Sequence, residues 1–149
     1  PYLQNAKIVV TLSSKGYQTL AQLRDRRIAV EAGTGGDKVL SDTEVLKDHV
    51  IIQQLNSIDR LYEALNAGTC DAIVLDLIYS CNTLDKNPHY NIINEAIATE
   101  YYTFAFRQTD GSLAAKIESV LAEMDTDGTI PDFSRKWFGS NLSILNVGL

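Results

Sequence analysis

The chain has few cysteines and histidines, fewer basic than acidic residues, and no long apolar run. Its two cysteines, Cys70 and Cys81, cannot make a four-ligand zinc site, and neither has a histidine nearby in the sequence. Thirteen basic residues against nineteen acidic ones give a net charge of −6, which argues against a nucleic-acid partner. No apolar stretch approaches the roughly 18 residues that a membrane helix needs. We therefore expect no metal, no cofactor and no nucleic acid.

The few reactive side chains form no catalytic constellation. The cysteines are predicted to be buried and inert, and a Cys70–Cys81 disulfide is the alternative if the chain is exported. His49 and His89 have no Ser, Cys or acid at an interpretable spacing, so both are predicted to lie on the surface. The chain starts at Pro1 without a signal peptide, and we expect a processed or trimmed product.

Strand-like and helical segments alternate along the first two thirds of the 149 residues. We predict strands at residues 8–11, 27–32, 50–53, 72–75, 90–93 and 101–107. We predict helices at residues 19–23, 36–46, 57–67, 76–84, 111–124 and 129–139. This alternation predicts an α/β fold, in which helices flank a central, mostly parallel sheet.

Particular residues mark the ends of these elements. Ser57 is a good N-cap, Gly68 supplies the left-handed residue that ends the same helix, and Thr129 is expected to cap the last helix. Residues 72–75 show no polar alternation, which predicts a strand buried on both faces. Trp137 is expected to be a packing anchor near the end of the last helix, as is its neighbour Phe138.

Two candidate binding groups follow predicted parallel strands, at one edge of the sheet. Gly33, Thr34, Gly35 and Gly36 form a glycine-rich turn that opens a helix, where backbone N–H groups favour an anion such as a carboxylate. Asp76 ends another buried strand, predicted at residues 72–75, and can accept hydrogen bonds from an ammonium group. Together these groups can hold a small zwitterion by both ends. The alternatives are a plain tight turn and an ordinary helix N-cap.

Glu31 interrupts an apolar strand directly before the turn. It is predicted to be a pocket-wall residue that meets the ligand side chain, or else an outward-facing residue. As a carboxylate it favours a polar or cationic ligand side chain over an acidic one.

The order of these motifs resembles the bacterial family 3 solute-binding proteins, the extracytoplasmic receptors of polar amino-acid ABC importers. The motifs are PYLQNAKIVV at the start, then TLAQLRDRRIAVEAGTGG, ALNAGTCDAIVLD and the closing stretch from YYTFAFRQTDG to KWFG. The resemblance implies two α/β lobes that close on the ligand. It places the α-carboxylate on Thr34 and the backbone of Gly35 and Gly36, the α-ammonium on Asp76, and the ligand side chain near Glu31.

The resemblance also implies a division of the chain. Residues 1–98 correspond to the second lobe, with a hinge strand at residues 1–12, and residues 99–149 return to the first lobe. The front half of the first lobe has no counterpart here, so we expect a truncated domain whose apolar surface promotes self-association or a rearranged C-terminal segment. An ABC permease is the partner that the family implies.

We therefore predict an extracytoplasmic amino-acid-binding module rather than an enzyme. One alternative is the same domain acting as the sensor of a membrane receptor kinase or channel. A second is a dehydratase-like enzyme that uses Glu31 and Asp76 as an acid/base pair. A third is a lobe retained only for assembly.

Overall fold

The computed structural model describes residues 1–84, 87–139 and 141–145, so parts of the predicted C-terminal segment (140 and 146–149) lie outside the described residues. The chain divides into two compact units. The large unit comprises Ala6–Thr99, and the small unit comprises Pro1–Asn5 with Glu100–Leu149. None of the helices in the described part of the chain combines the length and the apolar character that a membrane span requires.

The described residues form strands and helices in the predicted order. The strands are β1 Leu3–Leu12, β2 Arg26–Glu31, β3 Val50–Leu55, β4 Ala72–Asp76, β5 Tyr90–Ile92 and β6 Ala98–Tyr102. The α-helices are α1 Gly36–Asp42, α2 Ile58–Ala67, α3 Leu77–Thr83, α4 Gly111–Thr126 and α5 Thr129–Phe138, and a 3-10 turn spans Leu20–Leu23.

The sheet has the order β3-β2-β4-β1-β5, and β6 pairs with β1. Strand β2 runs parallel to β3 and β4, whereas β1 runs antiparallel to β4 and β5. Strands β2 to β5 therefore share one direction, and the α/β class is confirmed. The sheet is mixed in its pairing because β1, which no α-helix links to the strand after it, lies reversed between β4 and β5.

Both faces of the sheet in the large unit are covered by apolar side chains. Successive residues of β4 alternate between two buried clusters, with Ile73 and Leu75 in one and Ala72 and Val74 in the other. Helix α2 packs on the first cluster, and α1 and the 3-10 turn pack on the second. The prediction that residues 72–75 are buried on both faces is confirmed.

Two of the three predicted helix ends are confirmed. The Ser57 hydroxyl accepts a hydrogen bond from the Arg60 N–H at 3.3 Å, and Gly68 adopts φ 72° at the end of α2. The prediction that Thr129 caps α5 is wrong. The Asp127 carboxylate accepts a hydrogen bond from the Thr129 N–H at 2.9 Å, and Gly128 with φ 90° takes the N-cap position, so Thr129 is already helical.

The small unit departs most from the sequence prediction. The strand predicted at residues 101–107 lies instead at Ala98–Tyr102, where it pairs with β1. Residues 103–107 form no strand, and the half-exposed Phe104 ring stacks on Tyr2 with 4.6 Å between ring centroids. Trp137 is 57% exposed, so its predicted role as a packing anchor is also wrong. Both corrections reflect the shortage of apolar partners for this segment.

Candidate functional site

A cavity of about 90 Å³ lies in the large unit, where β2 and β4 end. Three of the predicted site residues, Glu31, Thr34 and Asp76, line it. Gly35 and Gly36 directly follow Thr34 at the start of α1. The remaining lining residues are Lys7, Ile58, Leu61, Val74, Leu75 and Tyr79.

The glycine turn is held by its own hydrogen bonds. The Thr34 hydroxyl donates to the carbonyl oxygen of Glu31 at 2.7 Å, and the Thr34 N–H points to the same oxygen at 3.3 Å. Gly35 takes φ 76° at the N-cap of α1. Because the hydroxyl proton is used within the turn, the donors that this turn offers an anion are backbone N–H groups of the first helical turn.

Gly36 is required by close packing of the turn on β2. A Cβ atom at this position would lie 3.1 Å from Val30 Cβ and 3.2 Å from Val30 Cγ1. The absence of a side chain thus allows the start of α1 to approach the end of β2, beside the cavity.

Asp76 lies where β4 meets α3, as the sequence predicts. It ends β4 and stands at the N-cap of α3. Within the described residues its carboxylate pairs with Lys7, whose ammonium nitrogen lies 2.7 Å from Asp76 Oδ1, rather than capping the helix. The Lys7 side chain is 8% exposed and that of Asp76 is 35% exposed, so the lysine is withdrawn from water while the carboxylate keeps some contact with it.

Lys7 is the functional candidate that the sequence prediction missed. It lies directly opposite Asp76 in the antiparallel register of β1 and β4. The predicted strand began one residue later, at Ile8, because the apolar run begins there, whereas β1 extends back to Leu3. The feature of the sequence that could have identified Lys7 is a lysine directly before a buried apolar run.

The cavity carries both signs of charge, with an excess of negative charge. Among the described lining residues, Glu31 and Asp76 each bring one negative charge and Lys7 brings one positive charge, which leaves a net charge of one negative unit. Apolar contacts come from Ile58 and Leu61 of α2. This arrangement favours a ligand with an additional cationic group.

The cysteines and histidines lie outside the lining of this cavity. Cys70 and Cys81 form no disulfide with each other, and burial raises the pKa of the Cys70 thiol to about 11. Cys70 is therefore protonated at neutral pH. His89 is exposed, as predicted, and half-buried His49 contacts Arg24.

No family model matches the chain. The chain is 27% identical over 143 residues to ABC transporter arginine-binding protein 1 of Escherichia coli, spanning 93% of this chain and 57% of that protein. It is 75% identical to Tv2483, whose crystal structure contains L-arginine, with a TM-score of 0.85 and coverage of 100% of this chain and 61% of Tv2483. A histidine-bound substrate-binding protein of Streptococcus pneumoniae, 23% identical with a TM-score of 0.74 over 95% of this chain and 61% of that chain, shares the fold.

The homologues define a class of protein: solute-binding proteins of amino-acid ABC transporters, with the family 3 fold. The predicted resemblance is confirmed. The chain spans between about half and six tenths of the length of these relatives, and Tv2483 is similar over all of it.

Proposed function

We propose that this chain forms one wall of the ligand site of an extracytoplasmic receptor, which captures a polar amino acid for an ABC importer. The observation that carries the proposal is the meeting of Glu31, Thr34 and Asp76 at one cavity. The 75% identity to an arginine-bound protein supports it.

The ligand is held by opposite charges at its two ends. The Asp76 carboxylate pairs with the α-ammonium, and its several lone-pair sites accept that group in addition to Lys7. The α-carboxylate meets the N–H groups at the start of α1, around Thr34, Gly35 and Gly36.

The ligand side chain is cationic. Glu31 lines the cavity and leaves it with an excess negative charge, which attracts a guanidinium or ammonium group and repels a carboxylate. L-Arginine, the ligand in the Tv2483 structure, is therefore the first amino acid to test.

The second wall of the site corresponds to the part of the relatives that has no counterpart in this chain. The cavity of about 90 Å³ is small beside the roughly 300–1,000 Å³ of enclosed ligand pockets. Residues 1–98 are the second lobe with a hinge strand at 1–12, and residues 99–149 belong with the first lobe. The ligand binds one lobe weakly, the other lobe closes over it, and the closed form docks on the permease.

The chain is a binding module rather than an enzyme. Glu31 and Asp76 share the cavity, as an acid/base pair would require. However, Asp76 is held in an ion pair with Lys7, which suits a fixed electrostatic contact. Turnover of a prephenate-like acid that is lost in Glu31→Gln would overturn this assignment.

The small unit promotes self-association of the chain. Its exposed apolar side chains include Phe104, Phe133 and Trp137, each at least half exposed. Size-exclusion chromatography with light scattering tests this point, and a monomer at high concentration would contradict it.

A thermal-shift screen of the twenty amino acids tests the binding function, because a ligand of the folded state raises the melting temperature. We expect a shift with arginine that is lost in Asp76→Asn and kept in Asp42→Asn, a change in an exposed ion pair of α1. A chimera that adds the unmatched part of Tv2483 to this chain should bind more tightly than the chain alone. No shift with any amino acid, in either protein, would contradict the proposal.

A further inference from the structure

Among the described residues that line the cavity of the large unit, Lys7 is the one cation. Its side chain is 8% exposed, and its ammonium nitrogen lies 2.7 Å from Asp76 Oδ1. A lysine so withdrawn from water is costly unless a partner compensates the lost hydration, and Asp76 supplies that compensation. The pair is therefore an anchored element of the cavity rather than a mobile surface contact.

Asp76 has two directions in which its carboxylate can point. It stands at the N-cap of α3 with φ −75° and ψ 133°, a position from which an aspartate can accept hydrogen bonds from the first helical N–H groups. Lys7 faces it across the β1–β4 register and draws the carboxylate to the cavity.

We propose that Lys7 is a positioning residue of the ligand site, which holds the Asp76 carboxylate in the cavity so that it receives the ligand ammonium. This inference rests on the proposed function and extends it. Lys7 also contributes to the charge of the described cavity lining, because Lys7→Met would remove the positive charge that stands beside Glu31 and Asp76.

The test compares Lys7→Met with Lys7→Arg, and uses Lys38→Met as the matched control. Met keeps most of the length of the side chain without its charge, Arg keeps the charge, and Lys38 pairs with Asp42 on the exposed side of α1. Calorimetric titrations with L-arginine and with 5-guanidinopentanoate, which is arginine without its α-ammonium, separate contacts to the two ends of the ligand. Circular dichroism checks that each variant folds.

We expect Lys7→Met to weaken L-arginine binding by about tenfold or more, since charge-assisted contacts contribute energies of this order. Binding of the α-ammonium-free analogue should change by less than about twofold, and Lys7→Arg should restore L-arginine binding. A crystal structure of Lys7→Met should show the carboxylate turned from the cavity.

Three results of these titrations would count against the inference, and only one of them would also overturn the proposed function. If the wild-type chain binds L-arginine and Lys7→Met binds it equally well, the inference is overturned and the proposed function stands. If neither protein binds any amino acid, the proposed function is overturned and the ligand role of Lys7 falls with it. An equal loss of affinity for L-arginine and for its analogue would also overturn the inference, because a merely structural role affects both.

Discussion

The large unit buries most of its apolar side chains, whereas the small unit leaves several large ones exposed. Of the 23 buried hydrophobic residues in the described part of the chain, 21 lie in the large unit, and Leu3 and Ile144 lie in the small one. Of the eight large hydrophobic side chains that are exposed, six lie in the small unit. The large unit therefore contains a core of its own, whereas the small unit offers an apolar surface.

This difference in burial explains why the candidate site lies in the large unit, where a core can fix the positions of its side chains. Strands β2 and β4 are buried on both faces, so their ends, Glu31 and Asp76, are held by a close-packed core. In the small unit, α4 and α5 keep Val120 and Phe133 exposed. That unit is suited to contact with other polypeptide rather than to fixing a small ligand.

We expect the two units to differ most in unfolding free energy when one leucine of each is shortened to alanine. Leu61 is fully buried on α2, and Leu61→Ala should lower the free energy of unfolding by about 2–5 kcal/mol. Leu113 on α4 is 49% exposed, so Leu113→Ala should change it by less than about 1 kcal/mol. Urea unfolding measures both. Equal losses would contradict the comparison.

A glycine from each unit, Gly36 and Gly111, gives a second comparison of packing in the two units. Gly36→Ala should cost about 1–3 kcal/mol, because the new Cβ would meet Val30 at 3.1 Å. Gly111 opens α4 with nothing within 4 Å of an added Cβ, so Gly111→Ala should be neutral or stabilising by up to about 1 kcal/mol. Thermal unfolding distinguishes them, and a harmless Gly36→Ala would show that the turn is loosely packed.

Cys70 adds a pH dependence to the core of the large unit. Burial raises the pKa of its thiol to about 11, so between about pH 9 and 11 the folded chain keeps a proton that the unfolded chain releases. The contribution of this proton to the free energy of unfolding is fully present below pH 9 and is lost as the pH rises from about 9 to 11. The loss should be on the order of 2–3 kcal/mol, since each pKa unit corresponds to about 1.4 kcal/mol. Subtracting the unfolding curves of Cys70→Ala isolates this contribution, and parallel curves would contradict it.

The smallest effect on unfolding should come from the exposed aromatics of the small unit. The double variant Phe133→Ser, Trp137→Ser removes two side chains that are more than half exposed. We expect less than about 1 kcal/mol change in unfolding but a clear loss of self-association by light scattering. An unchanged oligomer would place the contact elsewhere on the chain.

The difference in burial between the two units also explains which features could be predicted from the sequence. In the large unit, local signals agreed with packing, as Ser57, Gly68 and the unbroken apolar run of β4 show. Lys7 was missed because its importance comes from pairing with Asp76, which is 69 residues away in the sequence. In the small unit, aromatic content predicted a strand and a packing anchor, but Phe104 and Trp137 remain exposed because the described residues supply too few partners.

The most direct test of the central claim is an NMR titration of the isotope-labelled chain with L-arginine, with L-glutamate as the comparison ligand. We expect saturable shifts of the amide signals of Thr34, Gly35, Gly36 and Asp76 that are much larger with arginine than with glutamate, and no shifts of the signals of α4 and α5. Shifts that scatter over both units, or no shifts at millimolar arginine, would contradict an amino-acid site at the ends of β2 and β4.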